Sequence, residues 1–153
     1  MVGALKQRIN DEMKAALLGG DRFVGETLRN LKAAILNEEV ATGKREEGLS
    51  DGEIEKVIAR EVKKRGESAK LYRDNARPEL AEPEEKEAEV LKAYLPEQLD
   101  EAELRKIIEQ KITELDKVGP GAMGQVIGVV KGTVGNTADG ALIAALVKEA
   151  LNK

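Results

Sequence analysis

Only carboxylates, amines and hydroxyls are available for chemistry in this sequence, because none of its 153 residues is His or Cys. That removes the thiol nucleophile, the imidazole base, the Ser-His-Asp triad and every Cys/His zinc site. Paired acids are the remaining catalytic option. Glu84 with Glu87 and Glu85 with Glu89 fall three and four apart, which places acids on one helix face, and Glu38-Glu39 is a second acidic pair. No HxxE partner accompanies them to build a ferritin-like metal centre, and none lies in the apolar, Gly-flanked context that raises a carboxyl pKa. They read as solvated helix faces, and no catalytic residue, metal ligand or cofactor is assigned.

Cations offer a second chemistry, the binding of phosphate. Neither GxGxxG nor GxxxxGK[ST] occurs, and Lys131-Gly132-Thr133 lacks the preceding Gly-rich loop that a nucleotide site needs. Helix starts near Gly121-Ala122 and Gly140-Ala141 could offer backbone N–H groups to an anion, although Asp139 competes at the second as its own cap. The densest positive run is Lys56 to Arg73, with seven basic residues against Glu61 and Glu67, while Glu79 to Glu89 holds six acids against Lys86. Two readings stand. If the two segments form an antiparallel hairpin, much of this charge balances through surface pairs. Alternatively Arg60, Lys63, Lys64 and Lys70 face outward and grip a phosphate backbone, with Lys131 and Lys148 as further contacts in the C-terminal part.

Glycines form a third pattern. Gly121, Gly124, Gly128, Gly132 and Gly135 fall three or four apart, on one face of any helix long enough to hold them. Each interior glycine costs up to about 1 kcal/mol relative to Ala, so the spacing predicts close packing: a neighbouring helix or the chain's own backbone against the bare face, or else a ligand backbone in a groove.

The elements that must position these residues are helices almost throughout. Leu5, Ile9, Met13 and Ala16 or Leu17 line a first helix stopped at Gly19-Gly20; Asp21 caps a second carrying Val24, Leu28, Leu31 and Ile35. Ser50 with Glu53, and Asp100 with Glu103, make capping boxes for two more. Asn75 is expected to cap the helix after the third. Pro120-Gly121 opens a short helix through Val130, and Asp139 starts the last, with Leu142, Ile143, Leu146, Val147 and Leu151 inside. Val126-Ile127-Gly128-Val129-Val130 is the one stretch with strand character. Apolar residues make up 41%, enough for a folded core built from Leu, Ile, Val and Ala, since there is one Phe, two Tyr and no Trp. Base stacking therefore has little to work with.

A net charge of −4 gives no overall basic field, so a nucleic-acid surface must be local. The turn Tyr94-Leu95-Pro96-Glu97-Gln98-Leu99 is the expected boundary between an N-terminal part, 1–96, and a C-terminal part, 97–153, because Pro96 biases Leu95 away from helix. The N-terminal MVGALKQRINDE lacks an apolar signal region and no 18-residue apolar span occurs, so the expected location is the cytoplasm, with no membrane partner.

Thr27-Leu28-Arg29-Asn30-Leu31-Lys32-Ala33-Ala34-Ile35-Leu36-Asn37-Glu38-Glu39, the YLPEQL turn, Met123-Gly124-Gln125-Val126-Ile127, and Gly135 through Asp139-Gly140 with Leu142, Leu146 and Val147 together resemble the YqeY family over nearly the whole chain. That family is the free-standing relative of the C-terminal tail of GatB, a subunit of the tRNA-dependent amidotransferase. The resemblance implies an all-α protein in two parts, an N-terminal helical domain and a small three-helix C-terminal domain. It implies association with tRNA, or with a protein of the translation or aminoacyl-tRNA machinery, without the catalytic parts of the amidotransferase. A carbon–nitrogen ligase activity with glutamine as amido-N-donor would be a label inherited from the shared domain. The chain departs from the family at Arg77-Pro78-Glu79-Leu80-Ala81-Glu82-Pro83, where two prolines five apart predict a break or kink, and after Met123-Gly124, where the basic stretch is reduced to Lys131.

Overall fold

The computed structural model describes residues 3–116 and 119–152. Among them are seven α-helices and no strand: α1 Ala4–Leu18, α2 Arg22–Ala41, α3 Asp51–Asp74, α4 Pro78–Lys92, α5 Glu101–Leu115, α6 Met123–Val134 and α7 Gly140–Leu151. Contacts divide the chain into two compact units, Met1–Leu95 and Pro96–Lys153.

The first unit is built from two helical hairpins. Gly19 ends α1, and Gly20 turns the chain with φ of +84°, a conformation open to glycine at little cost. Asp21 then accepts a hydrogen bond from the Val24 amide and starts α2. The helices run antiparallel, close enough at Gly25 that a Cβ there would meet Leu17 Cδ2 at 2.5 Å. Ser50 and Glu53 close a complete capping box on α3. At its other end Asn75 donates from Nδ2 to the Leu71 carbonyl, 2.7 Å, so Asn75 finishes α3 instead of capping α4 as expected. The reversal falls on Ala76, at φ of +58°, and Pro78 occupies the first position of α4, where a missing N–H costs nothing. Pro83 lies inside α4, which continues through it to Lys92. The expected break is absent, because one unmade hydrogen bond on an exposed face leaves the Glu79 carbonyl to water. Ile9, Met13, Leu28, Leu31, Ile35, Leu49, Ile54, Val57, Ile58, Leu91 and Tyr94 form the core between the hairpins.

The second unit packs α5, α6 and α7 around Leu104, Ile108, Val126, Val130, Val134, Ile143, Leu146 and Val147. Asp100 and Glu103 supply the capping box of α5. The Gln98-Leu99 end of the YLPEQL turn belongs to this unit: the Leu99 amide donates to the Thr137 carbonyl at 2.8 Å, and Gln98 Nε2 donates to the Asn136 carbonyl at 2.9 Å. The 126–130 stretch is helical: Val126 and Val130, four apart, point to the same core.

The glycine pattern comes out differently from its expectation. Only Gly124, Gly128 and Gly132 lie in α6. Gly121 is in the 3₁₀ turn Pro120–Ala122 that precedes it, and Gly135 terminates it at φ of +56°. A Cβ built at any of the five meets nothing within 4 Å. Within this unit no described residue packs against the glycines, because α6 buries its valine face and turns the glycines outward.

Candidate nucleic-acid interface

The basic run lies on α3, whose buried side is Ile54, Val57, Ile58 and Ala69. Opposite that side the helical period brings Lys56, Arg60, Lys63, Lys64 and Lys70 outward over about 21 Å, with Glu67 and Asp74 on the same exposed face. The predicted Arg60, Lys63, Lys64 and Lys70 thus share one surface. Lys56 joins them, a residue the run contains but its spacing of four and seven from Arg60 and Lys63 should have singled out.

Much of the remaining charge balances across the hairpins. Arg65 is largely buried and bonds Glu87 on α4 at 3.1 Å and Glu61 one turn away at 3.2 Å. Arg73 pairs with Glu85. On the outward stripe Arg60 reaches Glu38 of α2 at 3.0 Å, Lys64 reaches Glu61 at 3.2 Å and Lys70 reaches Asp74 at 3.8 Å. Lys56 and Lys63 form no ion pair among the described residues. The inner cations are thus neutralised within the hairpin, as the first reading expects, and the outer ones are exposed with light pairing or none among the described residues.

In the second unit Lys131 is exposed on the glycine face of α6, its ammonium 3.5 Å from where a Cβ of Gly140 would stand. Lys148 lies two turns further along α7, about 12 Å from Gly140 by helical rise. The structure does not bring these two lysines together. Asp139 caps α7 through the Leu142 amide, 3.2 Å, so its carboxylate sits where an anion would enter.

The acids set aside as solvated faces divide. Glu39 is 2% exposed: it accepts from Lys6 Nζ at 2.7 Å and from the Leu49 amide at 3.0 Å, so it ties the loop between α2 and α3 to α1. Nothing in its sequence neighbourhood distinguishes it from Glu38, which faces Arg60. Where carboxylates are displaced in titration they move down. A hydrogen bond from Lys44 and two from Ser50 hold Glu53 at about 2. Burial pushes Glu61 upward, but Lys64 and Arg65 outweigh it and leave it lowered. Arg77 lowers Glu79 and Arg73 lowers Glu85. Such acids stay ionised and act as counter-ions, the opposite of a proton donor poised near neutrality. Tyr94 is shifted upward by burial and by its hydrogen bond to Glu12, with the Arg8 guanidinium 4.6 Å over its ring. Among the described residues no group of three or more acids is placed to hold a metal ion, and no helix is long and apolar enough to cross a membrane.

A family model described as Yqey-like protein matches residues 6–151. The chain belongs to that family. It is 32% identical over 114 residues to the altered inheritance of mitochondria protein 41, mitochondrial, of Clavispora lusitaniae, a match covering 72% of this chain and 62% of that protein. It is 29% identical over 115 residues to the protein of the same name from Lachancea thermotolerans, covering 73% and 60%. The match therefore spans about three fifths of these relatives' length, and the mitochondrial designation is theirs.

Proposed function

We propose that this Yqey-like protein is a non-catalytic RNA-associated binding module, with tRNA as the class of RNA that the resemblance to the GatB tail favours. One observation carries the reading: the outward stripe of α3, where among the described residues Lys56 and Lys63 form no ion pair and the exposed Arg60, Lys64 and Lys70 each make one, to the half-buried Glu38, the largely buried Glu61 and the exposed Asp74. A surface pair contributes only about 0–1 kcal/mol, so a phosphate can replace its carboxylate at small cost. An amidotransferase-like activity is no part of this reading, since such a label would be inherited from the shared domain alone, and the cytoplasm is the compartment proposed for the chain.

The test is binding to tRNA at low salt. Lys63→Glu with Lys64→Glu should weaken it across RNA sequences, since phosphate contacts position without reading bases. Lys131→Glu tests whether the second unit contributes. Log affinity should fall with log salt by about 0.9 per neutralised phosphate on a duplex and about 0.7 on a single strand. A second reading, a protein-interaction or assembly factor, is favoured by Leu36 and Val40, exposed at 44% and 57% one turn apart on α2. Binding that ignores both salt and the charge reversals would favour it.

A further inference from the structure

Resting on that reading, we infer that the outward face of α3 takes the double-stranded stem of an RNA and not a single strand. The inference comes from where the three aromatic side chains of this chain lie. A protein that binds single-stranded nucleic acid combines a positive track with aromatic rings on which bases stack, each worth about 1–3 kcal/mol. Tyr94 is buried in the core beneath Arg8. Tyr72 belongs to α3 but projects half-buried from the side opposite Lys56 and Lys63. Phe23 is partly exposed on α2, in a groove of about 690 Å³ that also reaches Gly66 of α3 and whose charged walls are Glu82, Glu85 and Glu89 against Lys86 and Lys92, so it offers a phosphate chain no net positive charge. Among the described residues no ring lies on the face of α3 that carries Lys56 and Lys63. A ligand on it gains from phosphate charge alone.

Charge alone favours the denser and stiffer polyanion. A duplex carries about one charge per 1.7 Å of axis, so a straight rod of cations about 21 Å long meets several phosphates whose positions are already fixed. A single strand must be ordered against the helix without a stacked base to offset that cost. Lys56 and Lys63, two turns apart on one side, make the first contacts. Arg60 and Lys70 then exchange Glu38 and Asp74 for phosphate, and the exposed Lys64 turns from Glu61, which Arg65 continues to hold.

The experiment compares four probes on the full chain by fluorescence anisotropy at low salt: a 16-bp RNA duplex, one of its strands alone, a DNA duplex of the same sequence, and poly-glutamate as a competitor. The RNA duplex should bind about tenfold tighter than the strand or more, with a log–log salt slope between about −2, for the contacts of Lys56 and Lys63 alone, and about −4.5, when all five cations meet phosphates. Lys56→Glu with Lys63→Glu should reduce duplex affinity about tenfold or more, as loss of two phosphate contacts requires. Phe23→Ala, and Lys106→Glu as an exposed charge reversal outside the face, should leave it unchanged. Circular dichroism matching the parent confirms that the exposed double variant folds, and Lys56→Gln with Lys63→Gln should show the smaller loss of the same sign. A strand that binds as tightly as the duplex, or a loss on Phe23→Ala, overturns the stem while leaving RNA binding intact. A DNA duplex that binds more tightly, or poly-glutamate displacing the duplex at equal charge, removes RNA as the occupant. Absence of binding to every probe overturns both this inference and the function beneath it.

Discussion

Glu39 shows what one carboxylate does when the fold closes over it. Removing a charge from water is costly unless a counter-ion and hydrogen bonds replace the lost hydration, and here Lys6 and the Leu49 amide do so. Lys6→Met should destabilise the first unit by about 2–4 kcal/mol, below the full cost of breaking a buried pair because Lys6 keeps partial exposure. Glu39→Gln should cost less, since a neutral amide oxygen can still accept from Leu49. Urea unfolding of both variants checks the order. Glu53 gives the pH counterpart. Its folded pKa of about 2 lies below the ordinary 4.5, so the stabilisation it provides is complete above about pH 4.5 and is lost as pH falls toward 2. Glu53→Gln should flatten the acid limb of the stability–pH curve in that window, and an unchanged limb would mean that the Lys44 contact does not persist in solution.

At the scale of elements, caps were the most legible features because they depend on neighbours three residues away: the Ser50/Glu53 and Asp100/Glu103 boxes and the Asp21 and Asp139 caps all form where their spacing predicts. What could not be read depends on distant partners. Glu38 and Glu39 differ only in which way α2 faces. Asn75 satisfies the end of one helix or the start of another by the same side-chain chemistry, and Pro78 at the next helix start decides it. The glycine spacing marked a real face of α6 but not what lies on it. That difference makes a paired prediction. Gly128→Ala adds a methyl into open space and should stabilise the second unit by about 0.5–1 kcal/mol through helix propensity. Gly25→Ala gains the same propensity but drives a Cβ to within 3.3 Å of the Leu17 backbone nitrogen and into its side chain, so a net loss of about 1–2 kcal/mol is expected. Thermal melts of the two variants should shift in opposite directions.

For the whole molecule, the expected boundary at Pro96 rested on one proline and a change of texture, whereas the observed division rests on two separate sets of buried residues. Tyr94 and Leu95 belong to the first core, and Leu99 belongs to the second. A chain cut after Leu95 removes no residue from the first core, so that fragment should keep its helical circular dichroism and melt cooperatively. The second unit is smaller, and a domain near 60 residues hides only about 60% of the surface its unfolded chain exposes. Its fragment should therefore be the less stable of the two under denaturant. If the first fragment instead binds a hydrophobic dye and loses its sharp transition, the two units depend on one another for folding. The α3 stripe would then need the whole chain to hold its geometry, and RNA binding would vanish in the fragment. With an independent first unit, the same fragment should retain most of the duplex affinity, because Lys56, Arg60, Lys63, Lys64 and Lys70 all lie within it.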